Sequence, residues 1–306
     1  MLEPLEVVAC PLCGSGVAKP VGSTAPSIVV TVGDLEFVQV QYQTLECQDC
    51  GLLYKDRTLS GQALDQYYSE LPYAKWQITG FFPPERVVHQ ILARLPMGSK
   101  VLDFGCSAGR LLAPFCPSHS CFGVEVNEDA SHAAAKRGIR MLSPLTWDAG
   151  RDSFDAIVMV DVFEHLPSPL DVVRRLASTL KPGGILIVST GNADAEACRV
   201  DPAHFWYFRN VEHLTMLSRK SAEAIAAQLG LTLIDWSEVS HYDLSVFERI
   251  RQRLKNWIYW QAQKRAVRIA FRFVPILKRS LNWKTPPAIT FTNDHVVVTY
   301  IKPAVV

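Results

Sequence analysis

The chain has 306 residues, 48% hydrophobic and 20% charged, a composition that excludes disordered and fibrous classes and suits one large core with a smaller appendage. Its net charge of +1 gives no overall electrostatic case for a nucleic-acid partner. The balance is uneven, however: residues 245–284 hold eleven Lys and Arg against one acid, Glu248, so the remainder is net acidic. The opening Met1-Leu-Glu-Pro-Leu-Glu6 carries acids where a secretory leader has bases, and no run approaches the roughly 18 apolar residues of a membrane span.

Residues 1–55 are expected to form a zinc-ribbon module. Cys10-Pro-Leu-Cys13-Gly and Cys47-Gln-Asp-Cys50-Gly are two knuckles, each offering two thiolates, and together they complete a closed tetrahedral site for structural zinc. Paired cysteines of this kind point to a reducing compartment, so a cytoplasmic protein is expected. Short β-like runs at 27–32 and 36–40 lie between the knuckles. Residues 56–85 are aromatic and loop-rich, a linker or lid with Tyr67, Tyr68, Tyr73, Trp76, Phe81 and Phe82 that ends in Pro83-Pro84.

Residues 86–306 alternate β-branched runs with amphipathic stretches, which predicts a doubly wound α/β domain with a seven-stranded, mostly parallel sheet. Strands are expected at 100–104, 121–126, 139–142, 154–160, 184–189, 231–239 and 293–301. Helices are expected at 86–95, 169–180 and 221–229, the last stopped by Gly230. A basic helical insertion, 244–290, precedes the last strand.

After the first of these strands, Asp103-Phe-Gly105-Cys106-Ser107-Ala-Gly109 is a glycine-rich turn, and a helix is expected to start near Arg110. Asp103 would repel a pyrophosphate but welcome a sulfonium or amino group. The spacing is Gly-x-x-x-Gly, unlike the dinucleotide fingerprint, and Glu125 follows about 20 residues on, where an acid accepts ribose hydroxyls.

With Val101-Leu-Asp-Phe-Gly-Cys-Ser-Ala-Gly109, Gly123-Val-Glu-Val-Asn127, Phe154-Asp-Ala-Ile-Val-Met-Val-Asp-Val-Phe-Glu-His-Leu166 and Leu180-Lys-Pro-Gly-Gly-Ile-Leu-Ile-Val-Ser189, the chain resembles class I S-adenosylmethionine-dependent methyltransferases over about residues 84–239. The resemblance implies that the loop of Gly105, Cys106, Ser107 and Gly109 holds the methionine moiety and Glu125 the ribose. It places Asp161 and Val162 beneath the amino-acid part of the cofactor and the adenine near Leu145. Ser107 stands where many relatives have a third glycine.

Methyl transfer to an alcohol or carbon acid also requires a base. The candidates are His165, which follows Glu164, and the pair Glu212-His213 in an aromatic segment that begins at His204. Neighbours in sequence rarely hydrogen-bond usefully, so working partners are expected as cross-pairs between the two segments.

Zinc knuckles ahead of such a domain resemble the deoxysugar C-methyltransferases, whose Tyr-x-Glu-His motif carries acid-base residues. Here Asn210 takes the tyrosine's place, and no counterpart of that family's large C-terminal domain is expected. The central domain alone resembles ubiquinone-type O-methyltransferases. A small-molecule, glycan or sugar-nucleotide acceptor is expected. The alternatives are a lipid or quinone-like substrate at a membrane surface, an RNA substrate, or a cofactor-binding scaffold without turnover. RNA fits less well because the zinc module is not notably basic. In the insertion, Phe247, Ile250, Leu254, Trp257 and Ile258 form one helical stripe that Arg249, Arg253 and Lys255 largely avoid. Three uses are open to it: lying on an anionic membrane, for a protein peripheral to the inner face; docking on its own domain or a partner; and binding RNA.

Overall fold

The computed structural model describes residues 5–32, 34–72, 79–147, 153–282 and 292–304. Tyr73, Trp76 and residues 283–290 of the insertion lie outside these. The N-terminal part contains β1 (Leu5–Glu6), β2 (Ala18–Ala25), β3 (Ile28–Val32), β4 (Leu35–Gln39), β5 (Tyr42–Cys47), β6 (Leu53–Lys55), β7 (Arg57–Thr58) and α1 (Gly61–Glu70). The rest comprises α2 (Pro83–Leu92), β8 (Lys100–Phe104), β9 (Ser120–Val124), α3 (Glu128–Lys136), β10 (Arg140–Leu142), β11 (Phe154–Val160), α4 (Pro169–Thr179), β12 (Leu180–Gly191), α5 (Glu196–Val200), β13 (Thr215–Met216), α6 (Arg219–Leu229), β14 (Thr232–Val239), α7 (Val246–Gln263), α8 (Arg265–Phe271), α9 (Pro275–Lys278) and β15 (His295–Ile301).

The seven-stranded sheet runs β10-β9-β8-β11-β12-β15-β14, parallel from β10 to β12, with β15 antiparallel to both of its neighbours. Side chains alternate across it, as the pleat requires. Ala156 and Val158 face one layer with Val88 and Leu92 of α2, while Ile157 and Met159 face the other with Val173 and Leu176 of α4 and Ile225 of α6. Parallel strands covered on both faces place a ligand crevice at their carboxyl ends, where the order reverses beside β8 and β11.

Two expectations fail for physical reasons. No α-helix starts near Arg110: the chain there runs as turns with a single 3-10 turn, Ala113–Phe115. Pro114 supplies no N–H and disfavours helical geometry at Ala113, and Pro117 follows close behind. Conversely, the zone expected to be loop contains α1. The Ser60 hydroxyl caps it by accepting from the Ala63 amide, and Ala63, Leu64, Tyr67 and Leu71 form a helical stripe buried against Val32 and Phe37 of the β3–β4 hairpin.

The cysteine-bearing part does not stand apart. Its sheet runs β13-β6-β5-β2, so a strand from the larger domain completes it through Thr215↔Tyr54 and Met216↔Leu53. Lys55, fully buried at the end of β6, donates from Nζ to the Asn210 carbonyl at 2.6 Å and lies over the rings of Tyr42 and Phe208. Replacing it (Lys55→Ala) removes a charge-assisted hydrogen bond and strands a carbonyl. Urea unfolding is expected to show a loss of about 2 kcal/mol, and an unchanged midpoint would refute the clamp.

Candidate active site

Asp103 is the last residue but one of β8, 3% exposed, and its carboxyl is pushed up to about 8 by burial, reinforced by the charges of Glu125 and Glu85. Gly105 follows at φ +80°, and a side chain there would run into Val162, so only glycine lets the two strand ends close on each other. The Gly105 and Cys106 amides both donate to the Val124 carbonyl, at 2.9 and 3.0 Å. Ser107 lies at φ +46° and Asp161 at φ +52°, a left-handed geometry that L residues rarely hold outside functional turns. Each carboxylate oxygen of Glu125 accepts one backbone amide at 2.8 Å, from Ser107 and from Asn127, and keeps lone pairs for further donors.

These groups line a cavity of ≈ 1060 Å³ with Asp103, Gly105, Cys106, Ser107, Glu125, Asp161 and Val162 on one side and Tyr68, His165, Glu212 and His213 on the other. Gly109 is not among its lining residues. It turns the chain at φ +71°, and a Cβ there would press on Ala134 and Ile139. Leu145 is 86% exposed and also off the lining, whereas Val126 is on it. A cationic cofactor fits this half, since two carboxyls face a space where Gly105 brings the backbone close.

On the far side the Tyr68 hydroxyl is 2.7 Å from Nδ1 of His165, which is also 3.1 Å from the Glu212 carbonyl. The His165 and His213 rings meet edge to face at 4.7 Å, which brings the two segments together. Burial lowers the His165 imidazole below its usual range. Burial lowers that of His213 much further, helped by His165 and Lys55, so both rings are neutral near pH 7. Burial pushes the Tyr68 phenol well above its usual range and keeps it protonated. His204 instead binds Asp201 (2.7 Å) and is not on the lining.

Ligating atoms of Glu164, His165 and His213 lie within 4.8 Å of one another. Both Glu164 oxygens are already engaged, one by Thr190 Oγ1 at 2.6 Å and one by the Tyr207 hydroxyl, which also lies 3.0 Å from Asp161. With one proton the phenol donates to one carboxyl at a time. Protein donors thus already occupy the Glu164 carboxyl. Sequence reasoning missed Tyr68, Lys55 and the role of Tyr207. The helical stripe of α1 was the available signal for Tyr68, while a buried lysine leaves no local pattern.

The second polar cluster is the cysteine group. Sγ of Cys10 is 3.5 Å from that of Cys50, Cys13 and Cys47 are equally close, and all four lie within 4.8 Å. Four thiolates about 2.3 Å from one ion stand roughly 3.8 Å apart, so the donor set suits a tetrahedral metal.

Comparison with known proteins agrees with this geometry. Residues 77–235, more than half of the chain, match the family described as "Methyltransferase domain". A ubiquinone biosynthesis O-methyltransferase of Coxiella burnetii is 29% identical over 162 residues, covering 46% of this chain and 68% of that protein. Its counterpart from Vibrio parahaemolyticus is 24% identical over 149 residues, or 42% and 63% of the two chains. In fold, the chain is similar to the YcgJ protein of Bacillus subtilis (TM-score 0.50, 18% identity, 72% of this chain and 99% of that one). It is also similar to phosphoethanolamine N-methyltransferase 2 of Haemonchus contortus (TM-score 0.51, 14% identity, 82% and 63%). The chain belongs to the methyltransferase domain family and is an S-adenosylmethionine-dependent methyltransferase of class I fold.

Proposed function

We propose that the enzyme methylates a hydroxyl of a small-molecule acceptor of sugar or glycan type, free or as the polar head of a lipid-linked compound. The observation that carries this is one cavity joining the acids Asp103 and Glu125 to the Tyr68–His165–Glu212 group. S-adenosylmethionine supplies the electrophilic methyl. Asp103 holds its positive groups and Glu125 its ribose, while Gly105, Cys106 and Ser107 carry the backbone past it with Asp161 and Val162 below. Gly109 shapes the turn that presents them. The in-line geometry needs an acceptor oxygen held on the far side, and an alcohol must shed a proton as the bond forms.

His165 is the base. Nδ1 accepts from the Tyr68 hydroxyl, so a proton from the acceptor passes to the tyrosine oxygen while the tyrosine proton moves to Nδ1. The Glu212 carbonyl then accepts from the new N–H and steadies the imidazolium. His213 walls the site as a neutral ring and helps orient His165. The Glu164 carboxyl, 3.5 Å from Nε2, favours the same charge.

Tyr68→Phe is expected to lower kcat about 10²-fold, and His165→Ala 10²- to 10⁴-fold, with cofactor affinity by calorimetry unchanged. Full activity in Tyr68→Phe would end the relay. Because burial lowers the imidazole, the acid limb of kcat should fall below pH 6.5. Asp103 is raised to about 8, so a cationic ligand must displace its proton. S-adenosylmethionine affinity should rise with pH, by up to about tenfold per unit below that value, with proton release at pH 7. Asp103→Asn should weaken binding and abolish both the slope and the release. A pH-independent affinity in the unmutated protein would contradict this assignment.

We read residues 1–55 as a zinc-ribbon module, 56–85 as the linker that carries the lid, and 86–306 as the catalytic domain with its insertion at 244–290. Cys10, Cys13, Cys47 and Cys50 hold a zinc ion whose role is to fix the two turns. Purified protein should contain one zinc per chain. Cys47→Ser should lower both the melting temperature and the zinc content, and a zinc-free protein of unchanged melting temperature would exclude the site.

A further inference from the structure

The helix α7 buries Tyr259 and Ala262 on one side and leaves a row of large apolar side chains on another. Val246, Phe247, Ile250, Leu254 and Trp257 are 74%, 76%, 60%, 54% and 57% exposed. At about 100° per residue they share one arc, flanked by Arg249 and Arg253 on one side and by Arg251 and Lys255 on the other. The next helices continue the theme, with exposed Ile269, Phe273 and Val274 among exposed Arg265, Arg268 and Arg272. The one acid, Glu248, sits at the N-terminal cap, where Ser245 Oγ is 3.3 Å from its carboxylate. The stripe is thus not used for packing on the enzyme's own domain among the described residues, and no helix among them is long and apolar enough to cross a membrane.

Its position relative to the cavity is informative. β14 runs parallel to β12, so its end at Val239 opens on the same sheet edge as Asp103 and Asp161. The chain then passes His241, whose ring stacks on Phe82 at 4.5 Å, and Tyr242, at 5.5 Å from the same ring. Phe82 lines the cavity, and Arg86 pairs with Asp243 at 2.6 Å just before α7 begins.

We propose that α7 is an interfacial anchor that lies on an anionic lipid surface and brings the cavity mouth to it, so that the acceptor is an amphiphile whose polar head enters from the lipid side. A bilayer matches both features of the stripe: the apolar row enters the acyl boundary with Trp257 at its edge, and the flanking guanidinium groups meet lipid phosphates. RNA would match the cations but leave the apolar row in water. A neutral protein groove would match the row but leave the excess charge. The substrate half of the proposal rests on the hydroxyl-methylation reading; the docking half does not.

The test is co-sedimentation of the full chain with phosphatidylcholine vesicles, with and without phosphatidylglycerol. Binding is expected only with the anionic lipid, weakening with salt. Arg251→Ala or Arg253→Ala should weaken it about fivefold each, and the double variant Phe247→Ser, Trp257→Ser should abolish it without changing the melting temperature. Asp103→Asn should bind vesicles normally, which separates failure of docking from failure of the chemistry. Absence of binding to anionic vesicles would overturn the proposal. So would tight binding of single-stranded RNA without vesicle binding, or a dimer that the Phe247→Ser, Trp257→Ser variant dissolves.

Discussion

The side of the cavity formed by Glu212 and His213 depends on how one short segment is held. Residues 210–214 carry Glu212 and His213, and little in their own sequence would keep them in place. The Lys55 ammonium binds the Asn210 carbonyl, the Lys55 amide binds the Leu214 carbonyl at 3.2 Å, and the Leu214 amide binds the Glu164 carbonyl at 2.7 Å. The segment is therefore pinned between the cysteine-bearing sheet and the turn after β11. A buried lysine is an expensive device, and burial lowers its ammonium to about 7. The charge of Glu212 opposes that loss, and two aromatic faces and a carbonyl surround the amine.

On the side of the cavity formed by Gly105 and Val162 the constraint is steric. Gly105 and Val162 close on one another, and the adjoining Ser107 and Asp161 take up left-handed geometry. Such geometry costs on the order of 1–3 kcal/mol per residue unless its surroundings hold it. Here Glu125 accepts the Ser107 amide, while the Tyr207 hydroxyl and, at 3.7 Å, the His295 ring face the Asp161 carboxyl. Burial opposes charge on His295, but Asp294 and Asp161 raise its imidazole above the usual range. The two halves meet at Glu164, whose oxygens join β12, through Thr190, to Tyr207.

Much of this was legible where hydrophobic period and turn chemistry agree. The bounds of β8 and β11 coincide with the strands expected at 100–104 and 154–160, and the two cysteine pairs converge as their spacing implies. The segments of His165 and His213 do come together, but the adjacent Glu164 and His165 also meet, at 3.5 Å. What was hidden depends on tertiary context. The stripe of α1 is brief and lies among aromatics that also read as loop. Lys55 looks like any surface cation until two chain segments enclose it. The helix expected at Arg110 rested on an analogy with other glycine-rich turns, and Pro114 and Pro117 override that analogy. Glycine spacing likewise did not reveal that Gly109 packs against α3 instead of lining the cavity.

The antiparallel pairing of β14 with β15 has an architectural consequence. Strands joined as a hairpin need only their ends close together, and lengthening the connection adds little closure entropy, since each doubling costs about 0.6 kcal/mol. The described residues of this connection, Ser240 to Asn282 and Thr292 to Asp294, therefore leave and rejoin the sheet at β14 and β15, outside the strands β8 and β9. An insertion at this point lies between two strands already held by their own ladder, so its length and make-up can vary at small cost to the rest of the sheet.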